Sequence, residues 1–193
     1  MKILFIGDSL TYGYGVNKNE NWVNLVKKEY NLDIINAGQN GDITDNIKKR
    51  LLFYLNKEHF SYVFIMGGVN DLIINSTSEY VINNLRDMIR IVKEYKASPI
   101  IGIQTPIIKD LAIRQWGAFT DYDYVIGENE KISKWILDYC NKHNIVYIDF
   151  YTSFNEAVNY NNIYEYSIDG LHPTKEGHEI MAQIACKVFK DLF

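Results

Sequence analysis

Five apolar runs of strand length, at residues 2 to 6, 32 to 36, 61 to 66, 99 to 103 and 145 to 149, recur along the chain with helical periodicity between them. Runs that are apolar at nearly every position are buried on both faces. Strands separated by helices run parallel, because a right-handed crossover returns each strand to the same end of the sheet. The pattern predicts an α/β fold: a three-layer αβα sandwich on a five-stranded parallel sheet, in the order 2-1-3-4-5. The chain has 193 residues, no linker, no low-complexity tract and no repeat, so residues 1–193 read as one domain whose core needs no staples.

Trp22, Leu25, Val26 and Tyr30 share one helical face, as do Val81, Leu85, Met88, Ile89 and Val92. Ile132, Trp135, Ile136 and Tyr139 form a third such face, and Ile180, Ile184 and Val188 a fourth. Ser76 followed by Glu79 reads as a capping box for the second helix, and Thr174 after Pro173 as the cap of the last. The doubly wound order makes the sheet flavodoxin-like. The connection from Gln104 to Gly127 is too long for a structureless loop, which makes it a functional loop or the holder of a short helix. Its Trp116, Phe119, Tyr122 and Tyr124 suit either the wall of an apolar or sugar-binding cleft or the anchoring of the loop to the core.

A net charge of −4 with scattered lysines leaves no basic footprint for nucleic acid. The apolar start at Ile3 is too short for a signal sequence and passes directly into a polar turn, and no later stretch approaches membrane-spanning length. A cytoplasmic protein without stable membrane association is expected. Cys140 and Cys186 lie in helical patterns with no metal-ligand spacing, so buried thiols are the stronger reading, a disulfide the weaker, and no metal site is expected.

Ligands of an open parallel sheet bind outside the carboxyl ends of the strands. The segments that follow the strands are Gly7-Asp8-Ser9-Leu10, Asn36-Ala37-Gly38-Gln39-Asn40-Gly41 and Gly67-Gly68-Val69-Asn70-Asp71, and the connection after the fifth strand ends in Asp169-Gly170-Leu171-His172-Pro173. These are the parts that acyl transfer needs. A serine hydroxyl must lose its proton to an imidazole whose tautomer a carboxylate fixes, and N–H donors must meet the oxyanion. Ser9, His172 and Asp169 can fill the first three places, with Gly38 and Asn70 as donors. His59 and His143 precede strands and fall at the wrong end of the sheet, and His178 lies inside the last helix, which leaves His172. The rival is a non-enzymatic FMN-binding module cradling phosphate on Ser9, Thr11 and Gly13. It leaves Asn70, Asp169 and His172 without a task.

The four segments also resemble the four sequence blocks of the GDSL or SGNH hydrolases, in the family's order: Gly7 to Leu10, Asn36 to Gly41 with Gly38, Gly67 to Asp71 with Asn70, and Asp169 to His172. The resemblance implies an SGNH-type flavodoxin-like sheet and an esterase, lipase or acylhydrolase. Ser9 would be its nucleophile, His172 its base and Asp169 the partner of the base. The oxyanion donors would be the N–H groups of Ser9 and Gly38 and the Asn70 side chain. No metal or cofactor is implied. The partner would be a small-molecule ester, a short-chain acyl ester such as an acetylated carbohydrate, or else a lysophospholipid or thioester. Substrate selection falls to residues 12 to 16, 72 to 78 and 104 to 127, with Tyr12, Trp116 and Phe119 as contacts. A homo-oligomer is left open. The absence of a Gly-x-Ser-x-Gly elbow argues against the larger α/β-hydrolase fold.

Overall fold

The computed structural model describes residues 1–117, 119–158 and 160–192. Its elements are, in order, β1 (Lys2–Gly7), α1 (Ser9–Tyr12), α2 (Trp22–Glu29), β2 (Asp33–Gly38), α3 (Thr44–Leu55), β3 (Tyr62–Met66), α4 (Val69–Ile73) and α5 (Ser78–Glu94). They continue with β4 (Ser98–Ile103), α6 (Lys109–Trp116), α7 (Tyr122–His143), β5 (Val146–Asp149), α8 (Phe150–Ala157), a 3-10 segment over Tyr160–Tyr166 and α9 (Lys175–Lys190). The strands form one parallel sheet in the order β2-β1-β3-β4-β5.

Side chains of a strand alternate between the faces of its sheet, and both faces are covered here. Leu4 and Ile6 of β1 join Val63, Ile65, Ile101 and Ile103 in a core under α3, α5 and α7, while Ile3 and Phe5 join Phe64, Met66 and Ile100 in a second core under α2, α8 and α9. The second core centres on aromatic rings: Phe5 stacks on Phe64 at 5.0 Å, and Trp22 meets Phe5 and Phe150 edge-on. The Trp22 indole N–H donates to the Leu10 carbonyl at 2.8 Å. This bond ties the aromatic core to the turn that carries Ser9.

Helix α3 carries its apolar face on Ile47, Leu51 and Leu55, and no side chain of its own caps it. The carboxylate of Asp71 on α4 accepts from the Thr44 N–H at 2.9 Å and the Thr44 hydroxyl at 2.6 Å instead. The cap of α5 is Thr77, not Ser76: its hydroxyl accepts from the Tyr80 N–H, and Ser78 N–H is held by Glu128 of α7 at 2.7 Å. The helix thus starts one residue later than the Ser76–Glu79 spacing suggests, and Glu79 falls too early to close a box. The long connection holds α6, and α7 begins at Tyr122, well inside it. Cys140 is buried, which pushes its thiol up to about 12, whereas Cys186 is only half-buried. Among the described residues no helix is long and apolar enough to cross a membrane.

His178 on α9 is fully buried. Its Nδ1 accepts from the Trp22 N–H at 3.5 Å, and its Nε2 has no partner among the described residues. Burial therefore holds the ring neutral and lowers its pKa to about 4. An unfolded chain binds that proton near pH 6.5, so the contribution of His178 is present above that pH and lost as pH falls toward 4. The expected size of the loss is about 3 kcal/mol. The stability difference between the parent and His178→Gln, from urea unfolding, should shrink by that order between pH 7 and pH 4. A difference constant across that range would mean that the ring is not buried neutral.

Candidate active site

Ser9 is the first residue of α1, set on the carboxyl end of the interior strand β1. Asp8 caps that short helix, its Oδ1 accepting from the Leu10 N–H at 3.0 Å, so the serine enters the helix with its N–H among the groups that lack an intrahelical partner. The loop between the 3-10 segment and α9 brings His172 over it: Nε2 lies 2.9 Å from Ser9 Oγ, and Nδ1 lies 2.7 Å from Asp169 Oδ2. The second Asp169 oxygen accepts from the N–H groups of His172 at 2.8 Å and Leu171 at 3.0 Å. Burial alone would raise the Asp169 carboxyl, but the His172 ring and these two N–H groups outweigh it and hold it below the ordinary range.

Gly170 lets this loop lie flat on α6. Its φ is +89°, and a Cβ there would come within 2.4 Å of the Ala112 nitrogen. Its carbonyl accepts from the Ile108 N–H at 2.8 Å. Helix α6 ends at Trp116, whose ring stands 5.9 Å from that of His172, and Tyr14 closes the other side at 4.4 Å. Together with Ile73, Tyr122 and Leu171 they wall a cavity of about 330 Å³ that opens on Ser9, His172, Asn70 and Gly41.

Ser9, Asp169 and His172 are thus brought together, Asn70 faces the same cavity, and Trp116 lines it. Gly38 does not. Its N–H donates to Asn36 Oδ1 at 2.9 Å, and a Cβ would come within 2.2 Å of the Tyr12 nitrogen, so this glycine is present to let α1 pack on the end of β2. Three residues on, Gly41 lines the cavity with φ +74° and an N–H that has no partner among the described residues. Tyr12 stands over a neighbouring polar depression that Tyr14 separates from the Ser9 cavity, and Phe119 is fully exposed and lines neither. Of the two tyrosines on this turn, it is Tyr14 that reaches the imidazole.

Asn70 donates one of its amide hydrogens to the Asp42 carbonyl at 2.9 Å, which leaves the other for the cavity. Asp42 itself is anchored by Arg50 of α3. The Arg50 guanidinium pairs with the Asp42 carboxylate through Nη1, donates from Nε to the Ala37 carbonyl at 2.9 Å and from Nη2 to the Gly7 carbonyl at 2.7 Å. One planar cation thereby binds the carboxyl ends of β1 and β2 to the loop that carries Gly41. Asn36, Gly41, Asp42 and Arg50 carried no distinct signal in the sequence beyond their place in or after the second polar segment. Among the described residues no cluster of His, Cys, Asp and Glu could hold a metal ion.

A hydroxyl, an imidazole and a carboxylate in hydrogen-bonded line, set at the carboxyl edge of a parallel sheet, define a site suited to acyl transfer. The chain belongs to the GDSL-like lipase/acylhydrolase family, whose profile matches residues 5–180. It is similar to an arylesterase of Vibrio mimicus, 24% identical over 96% of this chain and 86% of that one. Among solved structures it is similar to a member of the lipolytic G-D-S-L family from Veillonella parvula, with a TM-score of 0.84, 27% identity and 98% of each chain covered. A lipase/acylhydrolase from Enterococcus faecalis gives a TM-score of 0.78 and 26% identity over 98% of this chain and 95% of that one. The protein is a carboxylic ester hydrolase on an SGNH-type fold.

Removing the Arg50 guanidinium leaves the buried Asp42 carboxylate without its cation and takes one donor each from the Ala37 and Gly7 carbonyls, and breaking a buried pair from one side costs about 3–5 kcal/mol. Arg50→Met should lower the unfolding free energy by that order in urea titrations at pH 7. Arg50→Lys should recover only part of it, since one ammonium cannot match the fork of donors. Stability unchanged in both variants would show that the bracket carries no load.

Proposed function

We propose that the chain hydrolyses short-chain acyl esters through an acyl-Ser9 intermediate. The observation that carries this reading is the line Ser9 Oγ, His172 Nε2, His172 Nδ1, Asp169 Oδ2, with separations of 2.9 and 2.7 Å at its two hydrogen bonds. In the first step Ser9 Oγ attacks the ester carbonyl as its proton passes to His172 Nε2, and Asp169 stabilises the imidazolium through Nδ1–H. The oxyanion that forms accepts from the N–H of Ser9, the N–H of Gly41 and the Asn70 amide. The tetrahedral intermediate collapses as His172 returns the proton to the departing alkoxide. Water, deprotonated by the same nitrogen, then releases the acid and regenerates the serine.

Gly41 replaces Gly38 in this scheme because it lines the cavity and its N–H has no partner among the described residues, whereas that of Gly38 is engaged by Asn36. The short-acyl preference rests on the cavity. About 330 Å³ is near the lower limit of ligand pockets, and its apolar walls, Trp116, Tyr14, Ile73 and Leu171, suit a small hydrophobic group better than a long chain. The arylesterase relative makes an aromatic ester the first substrate to assay.

The test is a series of nitrophenyl esters of increasing acyl length, run beside acetylated sugars, a lysophospholipid and acyl thioesters, with Ser9→Ala as the blank. The expected kcat/KM is highest for the two- to four-carbon acyl groups and falls beyond them. A value that climbs steadily through long chains would overturn the short-acyl assignment. Asn70→Ala should reduce kcat by about 10²–10³-fold, the scale for one oxyanion donor. A reduction below tenfold in a folded variant would remove Asn70 from the hole.

A further inference from the structure

We infer that Gln104 is a positioning residue for the oxyanion hole, its side-chain amide bracing the turn that carries Ser9 against the helix that carries Asn70. The inference rests on the oxyanion assignment proposed above and deepens it.

Gln104 follows the last residue of β4 and lies outside all four polar segments singled out in the sequence. Its side chain is buried between two elements that do not adjoin in sequence. Nε2 donates to Asp8 Oδ2 at 2.7 Å, and Oε1 accepts from the Val69 N–H at 3.0 Å. The other oxygen of Asp8 accepts from the Leu10 N–H. A run of three hydrogen bonds thus joins the first turn of α1 to the first turn of α4. Ser9 lies between Asp8 and Leu10 at one end of the run, and Asn70 follows Val69 at the other.

The chemistry at its two ends is opposite. Asp8 presents a carboxylate and needs a donor, whereas Val69 presents an N–H and needs an acceptor. An amide of this length offers both in one plane, and a carboxylate or an alkyl chain of the same length does not. Gln104 does not line the cavity and makes no hydrogen bond to Ser9, His172 or Asp169 among the described residues, so it acts on turnover through the groups it braces. A misplacement of reacting groups by about 1 Å can cost on the order of 10²-fold in rate.

The experiment compares Gln104→Leu and Gln104→Glu with the parent, Ser9→Ala and Asn70→Ala in the full chain. It measures kcat and KM for one nitrophenyl ester from pH 6 to 8, with urea midpoints to establish folding. Gln104→Leu should lose about 10- to 10²-fold in kcat with KM within about twofold, because donors aimed at the oxyanion act mainly in the transition state. Gln104→Glu keeps the acceptor for Val69 but sets a carboxylate against Asp8. Two such groups cannot both ionise at hydrogen-bond distance, and one shared proton rebuilds the link. Its deficit relative to the parent should therefore be largest at pH 8 and shrink toward pH 6. The charged groups that act on Asp8 or feel it are His172, Asp71 and Arg50, and all three are retained in the parent and in both variants.

A folded Gln104→Leu with parental kcat, a loss carried by KM instead, or a Gln104→Glu deficit independent of pH would each overturn the inference. Should Gln104→Leu fail to fold, the nearly isosteric Gln104→Glu decides through its pH-dependent ratio. Parental activity in Ser9→Ala or Asn70→Ala would overturn the underlying assignment. Parental activity in the Gln104 variants beside a crippled Asn70→Ala would overturn this inference alone.

Discussion

The carbonyl oxygen of Gly7 accepts from the Gln39 N–H at 3.1 Å and from Arg50 Nη2 at 2.7 Å, at the point where β1 gives way to the turn that carries Ser9. Parallel pairing of β1 with β2 reaches Gly7 and Gly38 and then stops. Beyond that register no ladder holds the loops together, yet every group of the candidate site sits beyond it. The sheet brings the loops to one edge, but side chains must fix the distances among them. Arg50 does this across β1, β2 and Asp42, Asp71 does it between α4 and α3, and Gln104 spans Asp8 and Val69.

This manner of bracing concentrates ionisable groups where solvent is scarce. Asp8, Asp42, Asp71 and Asp169 are all buried at one edge, and each is met by N–H, O–H or guanidinium donors. The compensation is uneven. Burial lifts the Asp8 carboxyl to about 6 in spite of the donors from Leu10 and Gln104, whereas Asp169 is held low. Asp8 and His178 then act on stability in opposite senses. The contribution of a carboxyl with a raised pKa is present at low pH and fades as pH rises through about 6, while that of the buried neutral imidazole fades as pH falls toward about 4. Over the interval they share, each offsets part of the other.

The apolar runs carried the architecture because burial on both faces leaves little choice of residue. Strands β1 to β5 fall within a residue or two of those runs, and the sheet has the expected flavodoxin-like order 2-1-3-4-5. Ser9, Asn70, Asp169 and His172 were legible for a related reason: in a parallel sheet every strand delivers its following loop to the same edge. What the sequence could not show is which of two similar residues faces the cavity. Gly38 and Gly41 share one loop, and only the side chain of Asn36, folded back onto the Gly38 N–H, separates their roles. Tyr12 and Tyr14 sit two residues apart, and the turn at Gly13, with φ +89°, sends the second toward His172. Helix α3 lacks a capping residue of its own because its cap is the distant Asp71, and a cap supplied through space leaves no local signature.

The wall of the cavity and the loop bearing the proposed base are not independent parts. Trp116 is the last residue of α6, and Ile108, the residue just before that helix, donates its N–H to the Gly170 carbonyl, with the Ala112 backbone packed where a side chain at 170 would sit. Asp169 and His172 flank that glycine on a loop whose hydrogen bonds leave it little freedom. A shift of α6 that enlarged the space beside Trp116 would therefore carry the Asp169–His172 loop with it and lengthen the 2.9 Å approach of Nε2 to Ser9. Changes at the exposed Trp116 can alter the wall of the cavity without that penalty. Changes at Ile108, Ala112 or Gly170 cannot. The divide between specificity and chemistry thus runs through the middle of one eight-residue helix.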